Sequence, residues 1–398
     1  MWRLLRSRWA SALLPLALGV LCAEAALALV NNFALVLYVK DKLGLDARFA
    51  GGAISAFLLA EMLAKAPGGA LSDRLGRRPV LLFAMSFAAL IPVSLIIVAP
   101  RNPHLISLLR VGDGLAFGLF WPTAVAAMAD CSPPGRRSQV MSVFYLAYTM
   151  GIALGPPVGS LAFLTGRFEA PFLAASLLLL LAALSFGLSP LGKGSAVPSG
   201  EATRPGISAK ARATAPFWAI FAVTVLQSIA IIEMASVLPL LAEHEYGLKR
   251  ETMGLLFLGP AALVGLSTPL MGRLADRMGE DRAVKFGMLA ATALMWLFTQ
   301  LRSPLHVGIV ATAMALSYML AVPAWLSLVA SLGGERHRGA TLGGMGTAQG
   351  LGAMVGPILG TDLWERGHFL PLYVTASIFT ISLAIVSLTV RRTCSGHR

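Results

Sequence analysis

The sequence predicts an all-α membrane protein of twelve transmembrane helices in two pseudo-symmetric six-helix bundles. Three observations predict it. Apolar residues make up 57% of the 398-residue chain and charged residues only 13%, against about 25% charged in a soluble domain. Apolar stretches recur along the whole length at roughly the twenty residues an α-helix needs to cross a bilayer core. Landmarks of the first half also return in the second at a steady offset. Gly44 and Gly69 recur 203 residues on, as Gly247 and Gly272; Pro122, Arg137 and Pro156 recur 201 residues on, as Pro323, Arg338 and Pro357.

The first span covers about residues 11–39. It starts from MWRLLRSRW, basic and then apolar in the manner of a signal peptide. The apolar run continues to Val39, so the segment reads as a spanning helix, and Leu21 is too large for the residue before a lipoprotein cysteine at Cys22. The second span, about 49–71, runs into a charged, Gly-started turn (Gly68 to Pro79), and the third, about 79–99, restarts after it. The fourth (about 104–129), fifth (about 138–165) and sixth (about 170–189) complete the first bundle. There follows SPLGKGSAVPSGEATRPGISAKARATA, whose Gly, Pro, Ser and Lys/Arg content is that of a flexible linker. The expected domains are therefore 1–190, a six-helix bundle; 191–214, a cytoplasmic linker; and 215–398, a second bundle. Its spans fall at about 215–242, 251–272, 283–301, 304–331, 339–363 and 368–390.

The net charge of +13 has a topological cause, because short cytoplasmic loops collect Lys and Arg. Basic residues gather before the first span, in the even-numbered loops, in the linker and after the last span. Both termini are therefore expected inside a cytoplasmic-type membrane, the bacterial plasma (inner) membrane. No aromatic-interleaved basic patch points to nucleic acid. The three cysteines, Cys22, Cys131 and Cys394, are scattered, and the six histidines lack metal-ligand spacing, so neither a disulfide framework nor a metal site is expected. No nucleophile–base set, P-loop or ATPase domain is visible. The chain reads as no enzyme and as needing no cofactor, with its energy drawn from a gradient. Two parallel six-helix repeats about a midplane site are the plan of a large transporter class. The expected partners are a small-molecule substrate, a proton or other coupling ion and the lipid bilayer, with a monomer as the default.

Ionisable residues inside spans are costly and mark ion or substrate pathways. There are six: Glu24, Glu61, Lys65, Arg110, Asp113 and Glu233. Five lie in the first half; the repeat-matched positions of the second are Gln227, Val264, Thr268, Ala311 and Met314. Coupling is therefore expected in the first bundle. Glu61 and Lys65 are spaced i, i+4, and Arg110 and Asp113 i, i+3, so each pair can meet on its own helix. Glu24 and Glu233 have no such neighbour. Glu24 lies near the middle of the first span, with Asn31 seven residues on and on its face. Glu233 lies in the outer part of the seventh, about 120° round from Gln227. Glu24 is the first candidate to alternate between proton and substrate, with Arg110–Asp113 as a tuning or relay pair and Glu233 as a further proton candidate. Glu61–Lys65 also reads as a structural pair, and Arg110 also as an anion seat. Aromatic residues suit loosely specific binding of apolar or cationic ligands. Trp121, Tyr145, Tyr148, Tyr318 and Trp325 are cavity candidates on that ground, beside Asn31, Glu61, Gln227 and Gln349, although some aromatics serve as lipid-facing or belt residues.

The turn after the second span holds Gly69, Asp73, Arg74, Gly76, Arg77 and Arg78. Its echo holds Gly272, Asp276, Arg277 and Gly279, with Glu280 and Asp281 where the first copy has two Arg. A short acid facing a helix N-terminus is worth roughly 0.3–1 kcal/mol when exposed, and the Arg residues can bridge other acids or lipid headgroups. Such contacts make a latch that biases one conformation and still releases; the same Arg residues also enforce topology. In the fifth and eleventh spans Gly151, Gly155 and Gly159, and Gly352, Gly356 and Gly360, each share one helix face. Small stripes of this kind let membrane helices pack closely, and Pro156 and Pro357 kink them.

Together these stretches resemble the major facilitator superfamily over essentially the full chain. The charged turn is similar to its G-x-x-x-D-R-x-G-R-R motif, Arg110 to Gly114 to its R-x-x-x-G element, and Gly151 to Gly159 to the G-x-x-x-G-P-x-x-G motif of its proton-coupled antiporters. No P-E-S-P-R-like sugar-porter signature follows the sixth span. The resemblance implies the major facilitator fold, alternating access by rocking, and proton-coupled efflux of small amphiphilic or drug-like molecules, as in the twelve-helix drug:proton antiporters. Uptake or facilitated transport of an anionic metabolite or lipid, with Arg110 and Lys65 holding the anion, is the alternative within transport. A non-transporting receptor or scaffold is the alternative outside it, and such a protein has no need of the intramembrane charges or the two motif turns.

Overall fold

The structure is a computed structural model and describes residues 10–132, 137–189, 215–255, 263, 267, 270–271, 273–275, 277–332 and 334–395. All regular structure among them is helical. The backbone groups of a lipid-exposed segment have no water to bond, so they must satisfy one another within the helix. The helices are α1 (Ala10–Leu29), α2 (Arg48–Leu75), α3 (Arg77–Val98), α4 (Leu105–Asp130), α5 (Arg137–Phe163), α6 (Ala170–Leu188), α7 (Ala215–Leu240), α8 (Arg250–Met253), α9 (Glu280–Gln300), α10 (Pro304–Leu332), α11 (Gly334–Arg366) and α12 (Leu370–Ser395). Among the described residues ten helices are long and apolar enough to cross a membrane. The helix α11 covers the predicted eleventh span as a Gly-rich, more polar helix of 33 residues. Most of the predicted eighth span, with Gly272 and Asp276, and the linker 191–214 lie outside the described residues.

The chain divides into two compact units, Met1–Gly200 with Lys249–Leu255, and Glu201–Leu248 with Leu256–Arg398. In the first, α1 packs on α5 and α6, α2 on α4, and α3 on α4 and α6; in the second, α7 packs on α11 and α12, and α9 on α10 and α12. Apart from α2 on α4, whose counterpart falls mostly outside the described residues, the pairings correspond between the units, which gives the sequence repeat a structural form. The turns repeat as well. Gly76 ends α2 at φ +92° and Gly279 precedes α9 at φ +82°, while Gly44 and Gly247 stand at φ +64° and +63°. These left-handed conformations cost a Cβ-bearing residue roughly 1–2 kcal/mol, so glycine holds the same place in each copy.

Two features of the first unit position its polar residues. α1 is prolonged by a π-helical turn at Val30–Ala34 and a second at Tyr38–Lys42, and each extra residue per turn re-aims the side chains beyond it. Glycines also draw helices together at two seams. A Cβ on Gly151 would lie 2.6 Å from the Leu21 carbonyl and 2.7 Å from the Glu24 Cβ; one on Gly155 would lie 2.6 Å from the Leu29 nitrogen. The second seam joins α4 to α2, where a Cβ on Gly114 would lie 2.3 Å from the Phe57 carbonyl and one on Gly118 2.4 Å from the Ala64 Cβ. The short helix α8 belongs to the first unit. Arg250 reaches Asp41 (3.1 Å) and lies over the Phe168 ring (4.4 Å), and its carbonyl accepts the Ser160 hydroxyl (2.6 Å).

Candidate functional site

The α1–α5 and α2–α4 seams set a cluster of charges and aromatic rings inside the first unit. Glu24 of α1 is sealed against Gly151 and is 1% exposed. One carboxyl oxygen, Oε1, has no hydrogen-bond partner, and the Trp121 indole of α4 lies beside the carboxyl. Trp121 meets Phe144 and Tyr148 of α5 edge-on, with centroids 5.7 and 5.9 Å away. The close approach at Gly118, three residues before Trp121, brings the next turn of α2 over that indole. Lys65 Nζ stands 5.7 Å from the ring centroid and 2.8 Å from Glu61 Oε1.

Deeper in the seam, Arg110 is fully buried. Its guanidinium donates to Asp113 on its own helix and to Asn31 Oδ1 of α1, and it covers the Phe57 ring at 4.4 Å. Both charge pairs foreseen from their spacing form. Asn31, expected beside Glu24 on a cavity-lining face, is 7% exposed and holds Arg110 instead. It sits in the Val30–Ala34 π-turn, which breaks the seven-residue register. Arg110 has no exposed surface in this conformation to offer an anion.

The remaining candidates scatter. Tyr145 is 56% exposed with its ring against Phe144. In the second unit, Glu233 is fully buried, seated on Gly356 and Gly360 of α11, with neither carboxyl oxygen bonded and Thr375 of α12 beside it. Gln227 buries its amide nitrogen without a partner. The Gln349 carbonyl accepts the Ser228 hydroxyl (2.7 Å), and Trp325 of α10 packs against two apolar clusters, one containing Val223 and the other Phe217 and Met345. Tyr318 is half-buried on the same helix. Gly114, part of the Arg110–Gly114 element, builds the second seam together with Gly118, which the sequence analysis does not single out; their i, i+4 spacing is the signal for it.

At the charged turn, Arg77 joins three partners. It donates to Asp73 (2.5 Å) and Ser72 (2.6 Å) of α2 and to Asp130 at the end of α4 (3.1 Å). Arg78 donates to the Gly187 carbonyl of α6. Asp73 thus meets the Arg side chain that opens α3, and the turn ties the ends of α2, α3, α4 and α6. In the second copy, Arg277 is exposed. Among the described residues no group of three or more His, Cys, Asp or Glu is placed to hold a metal ion.

Comparison with known proteins places this architecture. The family profile described as Major Facilitator Superfamily matches residues 16–357 and again 234–395. The chain is 22% identical over 365 residues to "Multidrug resistance protein 1" of Bacillus subtilis (strain 168), covering 90% of this chain and 91% of that protein. It is 21% identical over 359 residues to "Quinolone resistance protein NorA" of Staphylococcus aureus (strain MSSA476), covering 88% and 90%. Among solved structures, a bacterial homologue of the human lysosomal transporter Spinster, inward-facing and unoccupied, superposes with a TM-score of 0.76 at 14% identity, covering 97% of this chain and 98% of that one. The peptide transporter POT in complex with sulfate gives 0.75 at 14% identity, covering 96% and 94%. A multi-pass all-α membrane protein with duplicated helix pairings and a family match across nearly its whole length, the chain belongs to the Major Facilitator Superfamily of transporters.

Proposed function

We propose that this transporter is a proton-coupled exporter of small amphiphilic cations, working by rocking of two bundles, 1–190 and 215–398, joined by the linker 191–214. The observation that carries the reading is Glu24: a buried carboxyl with one unbonded oxygen, beside the indole of Trp121. Around it, Glu61 and Asp113 are matched by Lys65 and Arg110. The cluster is therefore neutral while Glu24 carries a proton and short of one positive charge once that proton leaves. A monovalent cation with apolar surface can replace the proton without leaving an uncompensated charge in a low-dielectric site, which is costly. Trp121, Phe144 and Tyr148 supply apolar and π surface for it. The multidrug and quinolone resistance proteins among the relatives support drug-like molecules as the cargo. The Arg77 bridge supplies a contact able to bias one conformation, and Glu233 is a second carboxyl able to carry a proton. The setting is the bacterial plasma membrane with both termini inside.

In vesicles with an imposed pH gradient, Glu24→Gln is expected to abolish gradient-driven accumulation of a lipophilic cation while the protein still folds and inserts. Accumulation at the wild-type rate would remove Glu24 from the mechanism.

A further inference from the structure

Lys65 occupies an unusual position for a residue whose only task is to pair with Glu61. Its side chain is 46% exposed, whereas that of Glu61 is 11% exposed. The Lys65 side chain therefore lies on the accessible side of the cluster, with an acid and an aromatic ring beside its ammonium. Its 5.7 Å distance from the Trp121 centroid is that of a cation–π contact, and its 2.8 Å contact with Glu61 completes the combination that recognises an organic cation. The rest of the seat is continuous with it, since the same indole lies beside Glu24 and meets Phe144 and Tyr148. Arg110, the other base of the cluster, is fully buried with Asp113 and Asn31. Lys65, on a flexible four-carbon stem, is the base free to swing aside.

We propose that Lys65 is a tethered resident cation: its ammonium fills the seat over Trp121, and a cationic substrate binds by displacing it from the ring, Lys65 staying matched to Glu61 while the substrate's charge stands in for the proton of Glu24. The residue then sets the affinity and the charge preference of the site. Its grip is weak enough to yield and strong enough to keep the seat from standing open with an uncompensated acid. The assignment rests on the cation-exchange reading above. It differs from a merely structural Glu61–Lys65 pair, which is indifferent to ligand, and from an anion seat, which would place the ligand's charge beside Glu61 and Glu24.

The test is equilibrium binding of tetraphenylphosphonium and of tetraphenylborate to the purified full chain, wild type against Lys65→Met and Lys65→Arg. Lys65→Met is expected to bind the phosphonium roughly 2- to 30-fold more tightly, the span a single cation–π contact covers; Lys65→Arg is expected to stay near wild type. Should Lys65→Met fail to accumulate, Lys65→Gln serves the same comparison. Equal or weaker phosphonium binding by the variant overturns the assignment to Lys65 alone. Loss of borate binding without a gain for the phosphonium overturns it in favour of an anion seat. If neither wild type nor variant binds the phosphonium, the cation reading itself fails, and this inference with it.

Discussion

Arg110 and Lys65 show at the scale of single residues how burial divides two bases of one cluster. Arg110 has given up all contact with solvent and keeps its charge through Asp113, Asn31 and the Phe57 ring. Removing one partner of such a pair leaves an uncompensated buried charge, at a cost of about 3–5 kcal/mol. Arg110→Met is therefore expected to lower the thermal unfolding temperature in detergent sharply. The double change Arg110→Met with Asp113→Leu is expected to recover much of the loss, because it removes both charges. Spacing made the Arg110–Asp113 pair legible in the sequence. The third partner was not, because the seven-residue interval from Glu24 to Asn31 shares a face only on a regular helix, and the π-turn at Val30–Ala34 rotates Asn31 toward Arg110. The placing of Trp121 beside Glu24 was equally hidden, since it depends on how closely α1 and α4 approach.

At the scale of helices, glycine position rather than glycine content decides how the site is assembled. Gly155 faces backbone at 2.6 Å, whereas a Cβ on Gly308 would meet nothing within 4 Å. Overpacking a close seam costs roughly 1–3 kcal/mol, and Ala is the better helix former by up to about 1 kcal/mol where space allows. Gly155→Ala is thus expected to destabilise, and Gly308→Ala to leave the unfolding temperature unchanged or raise it; equal effects would refute the seam. The stripes Gly151–Gly155–Gly159 and Gly352–Gly356–Gly360 were readable from their four-residue period. Gly114 and Gly118 carried the same period but sat within a stretch dominated by Arg110 and Asp113. The role of their seam, bringing Lys65 over Trp121, becomes visible only when α2 and α4 are packed.

At the scale of the whole molecule, the repeat was the most legible feature. Gly44 and Gly247, and Gly76 and Gly279, hold matching left-handed turns, and the helix pairings correspond between the units. The orientation expected from the basic loops has its own test at Cys131, just beyond α4 on the expected inner side. Burial first, and then the charge of Asp130, push this thiol above its ordinary range. The reactive thiolate is therefore scarce at neutral pH and increases as the pH rises. In a background with Cys22 and Cys394 replaced by Ser, a membrane-impermeant maleimide is expected to label Cys131 only from the inner face. Labelling should be slow at neutral pH and faster in alkaline buffer, and Asp130→Asn should shift the acceleration to lower pH. Labelling from the outer face would reverse the topology.

The central claim is that Glu24 surrenders its proton to an arriving cation, and proton release on ligand binding tests it most directly. Tetraphenylphosphonium added to the purified protein in weakly buffered detergent, with a pH indicator as readout, is predicted to release protons nearly one-for-one with bound cation in the wild type and none in Glu24→Gln. Undiminished release from the variant, or cation binding by the wild type without any release, would contradict the account.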